Sequence, residues 1–288
     1  MIRKPRFSEI TVISLALGMS SIVTGQNSQQ EIEEIEIFAD SRRTEGITNV
    51  NAAISVLGEE ELDLILQTHY QEALARVPGF SGNRNNGQES LMALRSPVLT
   101  GAGACGAFLI AENGIPVRSA GFCNVNEMFD THSEYAQSIE VIRGPASAFW
   151  GSNALHGLVN VRLPDPGEIG ELTLEQGPRG SYRTKAAIGS DSGNFKQSLY
   201  LTGINEEGYR DDSGVDQQKA SWLYEYTLAN GIKMEGGFTY NNLNQETAGY
   251  VAGAKAYEDG NKRGTNPNPE AYRDSQSTRV WTRFTMES

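Results

Sequence analysis

Between Ile169 and Met286 the chain repeats one pattern six times, a run of alternating apolar and polar residues followed by a connection. The runs are Ile169 to Gln176, Ser181 to Gly189, Asn194 to Asn205, Gln218 to Ala229, Ile232 to Asn242 and Gln276 to Met286. A period of two sends successive side chains to opposite faces of an extended strand, so each run offers one apolar and one polar face. Trp222, Tyr224, Tyr226 and Leu228 share one face of the fourth run; in the fifth, Ile232, Met234, Phe238 and Tyr240 oppose Lys233, Glu235 and Thr239. Connections alternate too: Asp191-Ser192-Gly193 and Asn230-Gly231 are tight, whereas Glu206 to Asp216 and Leu243 to Ser275 are long. Such a sheet either packs on a second sheet as a soluble β-sandwich or turns its apolar face to lipid as a barrel wall, with short turns on one side and long loops on the other. Alternation alone leaves both open.

The stretch Ile139 to Val161, IEVIRGPASAFWGSNALHGLVNV, narrows the choice. Ile139, Val141 and Ile142 favour a strand, Gly144-Pro145 breaks it, and Pro145 suits the first position of a short helical turn. Gly151 and Gly157 bracket Ser152, Asn153 and His156 before a second apolar run, Leu158, Val159 and Val161, that stops at Pro164. Physically this is a strand, a tight corner and a second strand. In residue type it resembles the plug signature of TonB-dependent outer-membrane receptors, carried here by Arg143, Gly144, Pro145, Gly151 and Ser152. The resemblance implies an α+β plug domain over residues 47–165, followed over 166–288 by the first strands of an antiparallel transmembrane β-barrel. Plugged transporters of this kind have about 22 strands. Six strands leave an open edge that lipid cannot satisfy, so the sequence is expected to be the N-terminal part of a larger receptor.

The leading residues fit export. Arg3, Lys4 and Arg6 precede an apolar stretch from Ile10 to Val23, the layout of a signal peptide over residues 1–25 and too short to span a bilayer. Segment 26–46 then contains EIEEIEIFAD, where Ile35, Ile37 and Ala39 alternate with Glu34, Glu36 and Phe38. An isolated extended segment can add to an exposed sheet edge on another protein. It resembles the TonB box, so the resemblance implies that Glu34, Ile35, Glu36, Ile37, Phe38 and Ala39 engage the TonB energy-transducing complex of the inner membrane.

Within the plug region, Ala53 to Leu57 reads as a strand. Glu59, Glu60, Glu61 and Asp63 then open a helix carrying Leu62, Ile65 and Leu66, where carboxylates meet the positive helix end. Thr68 and Gln71 form a capping-box pattern for a second helix that ends at Pro78-Gly79. Ser81 to Glu89, SGNRNNGQE, reads as a polar loop, and in the family this apex touches ligand, which implicates Arg84, Asn85 and Asn86. Leu91 to Ser96 is LMALRS where family members commonly end in Arg-Gly, so the turn at Ser96 departs from the pattern. Asn113-Gly114, between two apolar runs, is a hairpin signal that sets Glu112 opposite Ile115. Cys105 and Cys123 then lie near the open end of that hairpin; export allows a disulfide between them, with two buried free thiols as the alternative. Arg118 to Glu127 corresponds to a second apex, implicating Arg118, Asn124 and Asn126 in binding an anionic or polar ligand.

Other chemistries find little support. Gly101, Gly103 and Gly106 spell a dinucleotide fingerprint, but a hairpin follows where a helix is required. The three histidines, His69, His132 and His156, are scattered and read as structural or surface residues, with no catalytic arrangement around them. Lys plus Arg number 24 against 36 Asp plus Glu, a net charge of -12 that argues against nucleic acid. No catalytic residue, cofactor or metal is expected. The expected function is a TonB-energised outer-membrane importer, reached through the signal peptide and embedded in lipid, that takes up an extracellular small molecule or metal chelate. A ferric siderophore is the commonest family cargo; cobalamin, haem, an oligosaccharide or a non-transporting recognition role are the alternatives.

Overall fold

The computed structural model describes residues 36–38, 45–46, 52–84, 87–96, 108–118, 127–229 and 231–286. The signal-peptide segment, Glu34, Ile35, Ala39, Asn85, Asn86, Cys105, Cys123, Asn124 and Asn126 lie outside these residues. A short ladder comes first, β1 (Glu36–Ile37) antiparallel to β2 (Glu45–Gly46). There follow β3 (Ile54–Gly58), α1 (Glu59–Ile65), α2 (Tyr70–Leu74), β4 (Phe80–Arg84), β5 (Ser90–Leu94), β6 (Phe108–Glu112), β7 (Ile115–Pro116), β8 (Ser138–Arg143), α3 (Ser147–Trp150) and β9 (Gly157–Arg162). Five of these strands form one sheet in the order β3-β8-β9-β6-β7, antiparallel except for the parallel pair β6 and β9. The turn between β6 and β7 has Asn113 at φ 49 and Gly114 at φ 74, and Glu112 faces Ile115 as the sequence predicts.

Local chemistry explains most of these elements. Glu59, Glu60 and Glu61 occupy the first turn of α1, and Leu66 at φ 47 ends it. The capping box expected from Thr68 and Gln71 forms differently: His69 is the N-cap, its Nδ1 accepting from the Gln71 N–H at 3.1 Å, while Glu72 accepts from the Thr68 N–H at 2.9 Å. Segment 81–89 is only partly loop, since β4 and β5 pair from Phe80↔Leu94 to Arg84↔Ser90. Its turn-forming residues are overridden because a ladder needs only backbone groups and the partner strand supplies them. Pro145 precedes the N-cap Ala146 rather than starting α3. At Ser96 the hydroxyl accepts from the Leu94 N–H at 3.3 Å behind Arg95 at φ 50, so a turn forms there without glycine.

The second sheet is a meander of β10 (Gly170–Gln176), β11 (Tyr182–Asp191), β12 (Phe195–Glu206), β13 (Val215–Thr227), β14 (Lys233–Glu246) and β15 (Tyr272–Thr285), each antiparallel to the next. All six expected strands are present, the last two running further toward the long connection than periodicity alone suggested. Outward rows run across the register: Ile188, Leu199, Trp222, Phe238 and Val280 form one, and Tyr226, Met234 and Phe284 another. Nearer the long loops the same face turns polar at Gln218, Asn242 and Gln276. The inward face carries Ser198, Thr202, Gln217, Lys219, Ser221, Thr239 and Asn241, all buried.

This distribution is inverted relative to a soluble sandwich. Leu172, Ile188 and Val280 are 70%, 67% and 75% exposed, while polar side chains fill the covered face. An apolar surface of that extent facing water would be strongly unfavourable, whereas facing hydrocarbon it is what a barrel wall requires. The plug sheet lies against the polar face. Its core of Leu62, Leu74, Ile110, Phe129, Ile139 and Val159 continues into Val215 and Leu243 of the wall, and Tyr135 and Leu163 pack with Ala187, Tyr200 and Leu223.

Candidate functional site

Three zones of the plug meet the wall, one at each end of the strands and one between. At the long-loop end, a cavity of about 390 Å³ is lined by Thr68, Arg84, Gly87, Arg179, Tyr209 and Ser213, among others. Arg84 sits at the tip of β4, 3.7 Å from Glu72, and the Arg179 guanidinium lies over the Tyr209 ring at 5.4 Å. The plug tip is pinned here: the Gln88 N–H donates to Gln245 Oε1 at 3.0 Å, and Glu89 pairs with Arg273. Gly87, at φ +57, is required twice over, because a Cβ there would stand 2.6 Å from both Gln245 Oε1 and Val215 Cγ2. Behind the tip, the Tyr70 hydroxyl donates to the Gln88 carbonyl at 2.8 Å. Burial, followed by the field of Arg84, pushes the His69 imidazole down to about 3, so it stays neutral and able to cap α2.

The middle zone is a belt from Glu127 to Tyr135, two 3₁₀ turns laid along β12 to β15. Asp130 accepts from Asn241 Nδ2 at 2.8 Å, Ser277 Oγ at 2.9 Å and Arg118 Nη2 at 2.5 Å. Glu112, at the end of β6, accepts from Thr239 Oγ1 at 3.1 Å, Arg279 Nη2 at 2.8 Å and the His132 N–H at 2.6 Å. Lys219 Nζ donates to the Thr131 carbonyl at 2.8 Å and to the Glu134 carboxylate at 2.9 and 3.0 Å. His132 bridges two strands, Nδ1 to Ser221 Oγ at 2.9 Å and Nε2 to Thr202 Oγ1 at 2.8 Å. Burial lowers His132 to about 4, and burial raises Glu127 to about 7 against the opposing Arg118 guanidinium 2.8 Å away. For Glu134 burial acts upward and is the largest single influence, yet Lys219, His132 and hydrogen bonds together outweigh it and the carboxyl is held below its usual range. Buried charges persist only when paired, and here Arg118 pairs with Glu127 and Asp130, Arg279 with Glu112, and Lys219 with Glu134.

At the short-turn end, Ile37 is fully buried, and the Phe38 N–H donates to Glu140 Oε1 at 3.0 Å. The Phe38 ring sits among Asn113, Arg162, Leu163, Trp281 and Arg283, with the Arg283 guanidinium 4.9 Å and the Arg162 guanidinium 6.0 Å from its centroid. The signature residues form the corner between β8 and β9 alongside. Arg143 Nη2 donates to the Ile54 carbonyl at 3.3 Å, Gly144 at φ 150 and Gly151 at φ 84 turn the chain, and Ser152 starts a 3₁₀ turn.

Of the residues singled out by sequence, Arg84 lines the long-loop cavity, whereas Arg118 lies in the middle belt, paired with Glu127 and Asp130. Glu36, Ile37 and Phe38 lie at the opposite end from that cavity. Sequence reasoning missed the belt. Its one signal was charge at inward positions of otherwise regular strands, Lys219 and Arg279, which demand buried partners. Among the described residues no His, Cys, Asp and Glu grouping could hold a metal ion.

Residues 47–158 match the family model described as the TonB-dependent Receptor Plug Domain. Residues 47–158 are thus a TonB-dependent receptor plug domain, and the six antiparallel strands that follow have the fold of strands in such receptors' barrels. The chain is 28% identical over 171 residues to the vitamin B12 transporter BtuB of Photobacterium profundum, a match covering 58% of this chain and 27% of that protein. In fold it is similar to P. aeruginosa FpvA bound to heterologous pyoverdines, with a TM-score of 0.70 at 14% identity, covering 86% of this chain and 33% of that one. It is likewise similar to the siderophore receptor PiuA of Acinetobacter baumannii, with a TM-score of 0.62 at 15% identity, covering 83% and 34%. The chain thus spans about a quarter of its curated relative's length and a third of these structures.

Proposed function

We propose that this chain gates an importer: cargo binds among the plug tip and the long loops outside the cell, and TonB engages Glu34 to Ala39 from the periplasm. The observation that carries this reading is the placement of the Arg84 cavity and of Phe38 at opposite ends of one plug, both touching the wall. Orientation follows the rule that outer-membrane barrels keep short turns in the periplasm and long loops outside. Residues 1–25 serve as the export signal, 26–46 as the TonB segment and linker, 47–165 as the plug, and 166–288 as the opening strands of the wall. Arg84 and Arg179 line the cavity against one carboxylate, Glu206, an excess of positive charge that favours an anionic chelate, and we assign a ferric siderophore as cargo. Binding shifts the plug only by the cargo's differential affinity for its two states, and chemistry on the cargo is not required.

The test uses the complete receptor in a strain lacking its other siderophore receptors. Uptake of labelled ferric siderophores, with cobalamin as a parallel arm, is compared with and without residues 34–39. Uptake of an iron chelate that is lost on the deletion supports the reading. Uptake that survives the deletion, or binding without uptake, overturns the energised importer; transport confined to cobalamin overturns the cargo.

A further inference from the structure

Two long loops stand at the cavity end of the wall, residues 207–214 between β12 and β13 and residues 247–271 between β14 and β15. Of the two, the first lines the cavity, through Gly208, Tyr209 and Ser213, and the second does not. Neighbouring residues of the first loop face opposite ways. Tyr209 turns to the cavity, where its ring meets the Arg179 guanidinium, whereas Arg210 reaches into the second loop. There Arg210 Nε and Nη2 both donate to the Thr265 carbonyl, at 2.9 and 2.7 Å, and Nη1 donates to the Ala248 carbonyl at 3.4 Å. The Asp211 N–H donates to the Gly264 carbonyl at 2.8 Å, and Asn266 Nδ2 donates to the Asp212 carbonyl at 2.9 Å. Asn266 Oδ1 accepts from the Asn268 and Gly249 N–H groups at 2.8 and 3.3 Å, bracing the receiving loop from within. On the donating side, Ser213 Oγ accepts from the Arg210 N–H at 3.0 Å and donates to the Arg210 carbonyl at 2.6 Å. Gly208, at φ +78, lies so close that a Cβ there would strike the Ser213 hydroxyl, which leaves the first loop one compact shape around Arg210.

Resting on the importer reading, we propose that Arg210 is a positioning residue for cargo binding: by clasping the loop 207–214 to the loop 247–271 it holds Tyr209 against Arg179, so the aromatic wall of the cavity stands before cargo arrives. A guanidinium suits this task because its planar fork fixes direction as well as charge, which a lysine ammonium does not. A loop already in place spares the cargo the cost of ordering it, whereas a loop that is ready only about a tenth of the time weakens apparent affinity about tenfold. Arg210 does not line the cavity, so its side chain acts on cargo through Tyr209. The second loop is then a buttress for the first.

The experiment is hydrogen–deuterium exchange of the complete receptor in detergent, with no cargo added. Arg210→Met removes the fork and keeps the stem, and exchange across 207–214 is expected to rise about tenfold as charge-assisted hydrogen bonds are lost. The deciding readout is the turn 177–181, closed by the Gly177 N–H on the Ser181 carbonyl at 2.8 Å and joined to the first loop through Arg179 and Tyr209. Its exchange should accelerate in Arg210→Met and equally in Tyr209→Ala, with nothing further in the double variant. Asn266→Ala, placed on the other loop, should repeat the pattern, and Arg210→Lys should stay close to Arg210→Met. Wild-type exchange of 177–181 in Arg210→Met, additive effects in the double variant, or full rescue by Arg210→Lys overturns the proposal. A second arm titrates ferric citrate, a ferric tris-hydroxamate, a ferric tris-catecholate and cobalamin; for each that binds, Arg210→Met should raise Kd about tenfold while uptake at saturation holds, and an unchanged Kd overturns the positioning role. Because the exchange arm contains no cargo, a panel that binds nothing strikes the importer reading and leaves exchange to judge the clasp. A clasp that fails while uptake still depends on residues 34–39 leaves the importer standing.

Discussion

Replacing Lys219 by methionine tests whether charge pairing seats the plug. The Lys219 and Glu134 side chains are 3% and 8% exposed, so neither is shielded by bulk water. In Lys219→Met the Glu134 carboxylate stays buried without its cation, and the Thr131 carbonyl loses its donor at 2.8 Å. Breaking one side of a buried pair costs roughly 3–5 kcal/mol. The loss has a distinctive pH dependence. Burial is the largest single influence on Glu134 and acts upward, and the carboxyl is held below its usual range because Lys219, His132 and hydrogen bonds together outweigh it; once the ammonium is gone, the opposition to burial weakens and the group takes up a proton more readily. The deficit should therefore be about 3 kcal/mol or more at neutral pH and shrink as the pH is lowered. Guanidinium unfolding of the plug in the detergent-solubilised receptor measures it, with Glu134→Gln and the double variant completing a cycle. A deficit below about 1 kcal/mol, or single-variant effects that simply add, would refute the reasoning.

Three further outcomes follow from the same structure. His132 titrates near 4 when folded and 6.5 when unfolded, so its contribution is present above pH 6.5 and is lost as pH falls through about 4, amounting to about 3 kcal/mol. His132→Gln should flatten that part of the acid limb relative to wild type in plug melts, and an unchanged limb excludes the role. Gly87→Ala forces a methyl toward Gln245 and Val215 at positive φ; roughly 1–3 kcal/mol of tip stability should disappear, seen as faster hydrogen exchange in β4 and β5, and unaltered exchange contradicts the assigned close approach. Val280→Arg places a cation in the outward apolar row at a penalty of about 2–4 kcal/mol near the bilayer midplane, so assembly into liposomes should fall, and normal assembly would mean this face does not meet lipid.

The six strands of the wall, the Asn113-Gly114 hairpin and the β8-corner-β9 unit were all legible in the sequence, because each is written in short-range chemistry. Period-two alternation marks a strand, a pair of residues tolerating positive φ marks a tight turn, and Gly144-Pro145 ends a run. Chain neighbours decide these features, so the sequence by itself determined them, together with the family they resemble. The capping of α2 was less legible: Thr68 and Gln71 fit the pattern, yet burial of His69 gave it the better-placed acceptor.

Only the tertiary structure decided which face of the wall is covered and by what. Alternation supplies an apolar and a polar face but does not say whether the apolar one is covered, as in a sandwich, or left outside; the plug, by satisfying Lys219, Asn241 and Arg279, covers the polar one. The parallel pairing of β6 with β9, the Glu112 and Asp130 belt and the socket around Phe38 join residues far apart in the chain, Arg283 to Phe38 farthest of all. Such partners are selected by packing in space, where a buried charge takes whatever donor the fold brings within reach, and no local period records that choice.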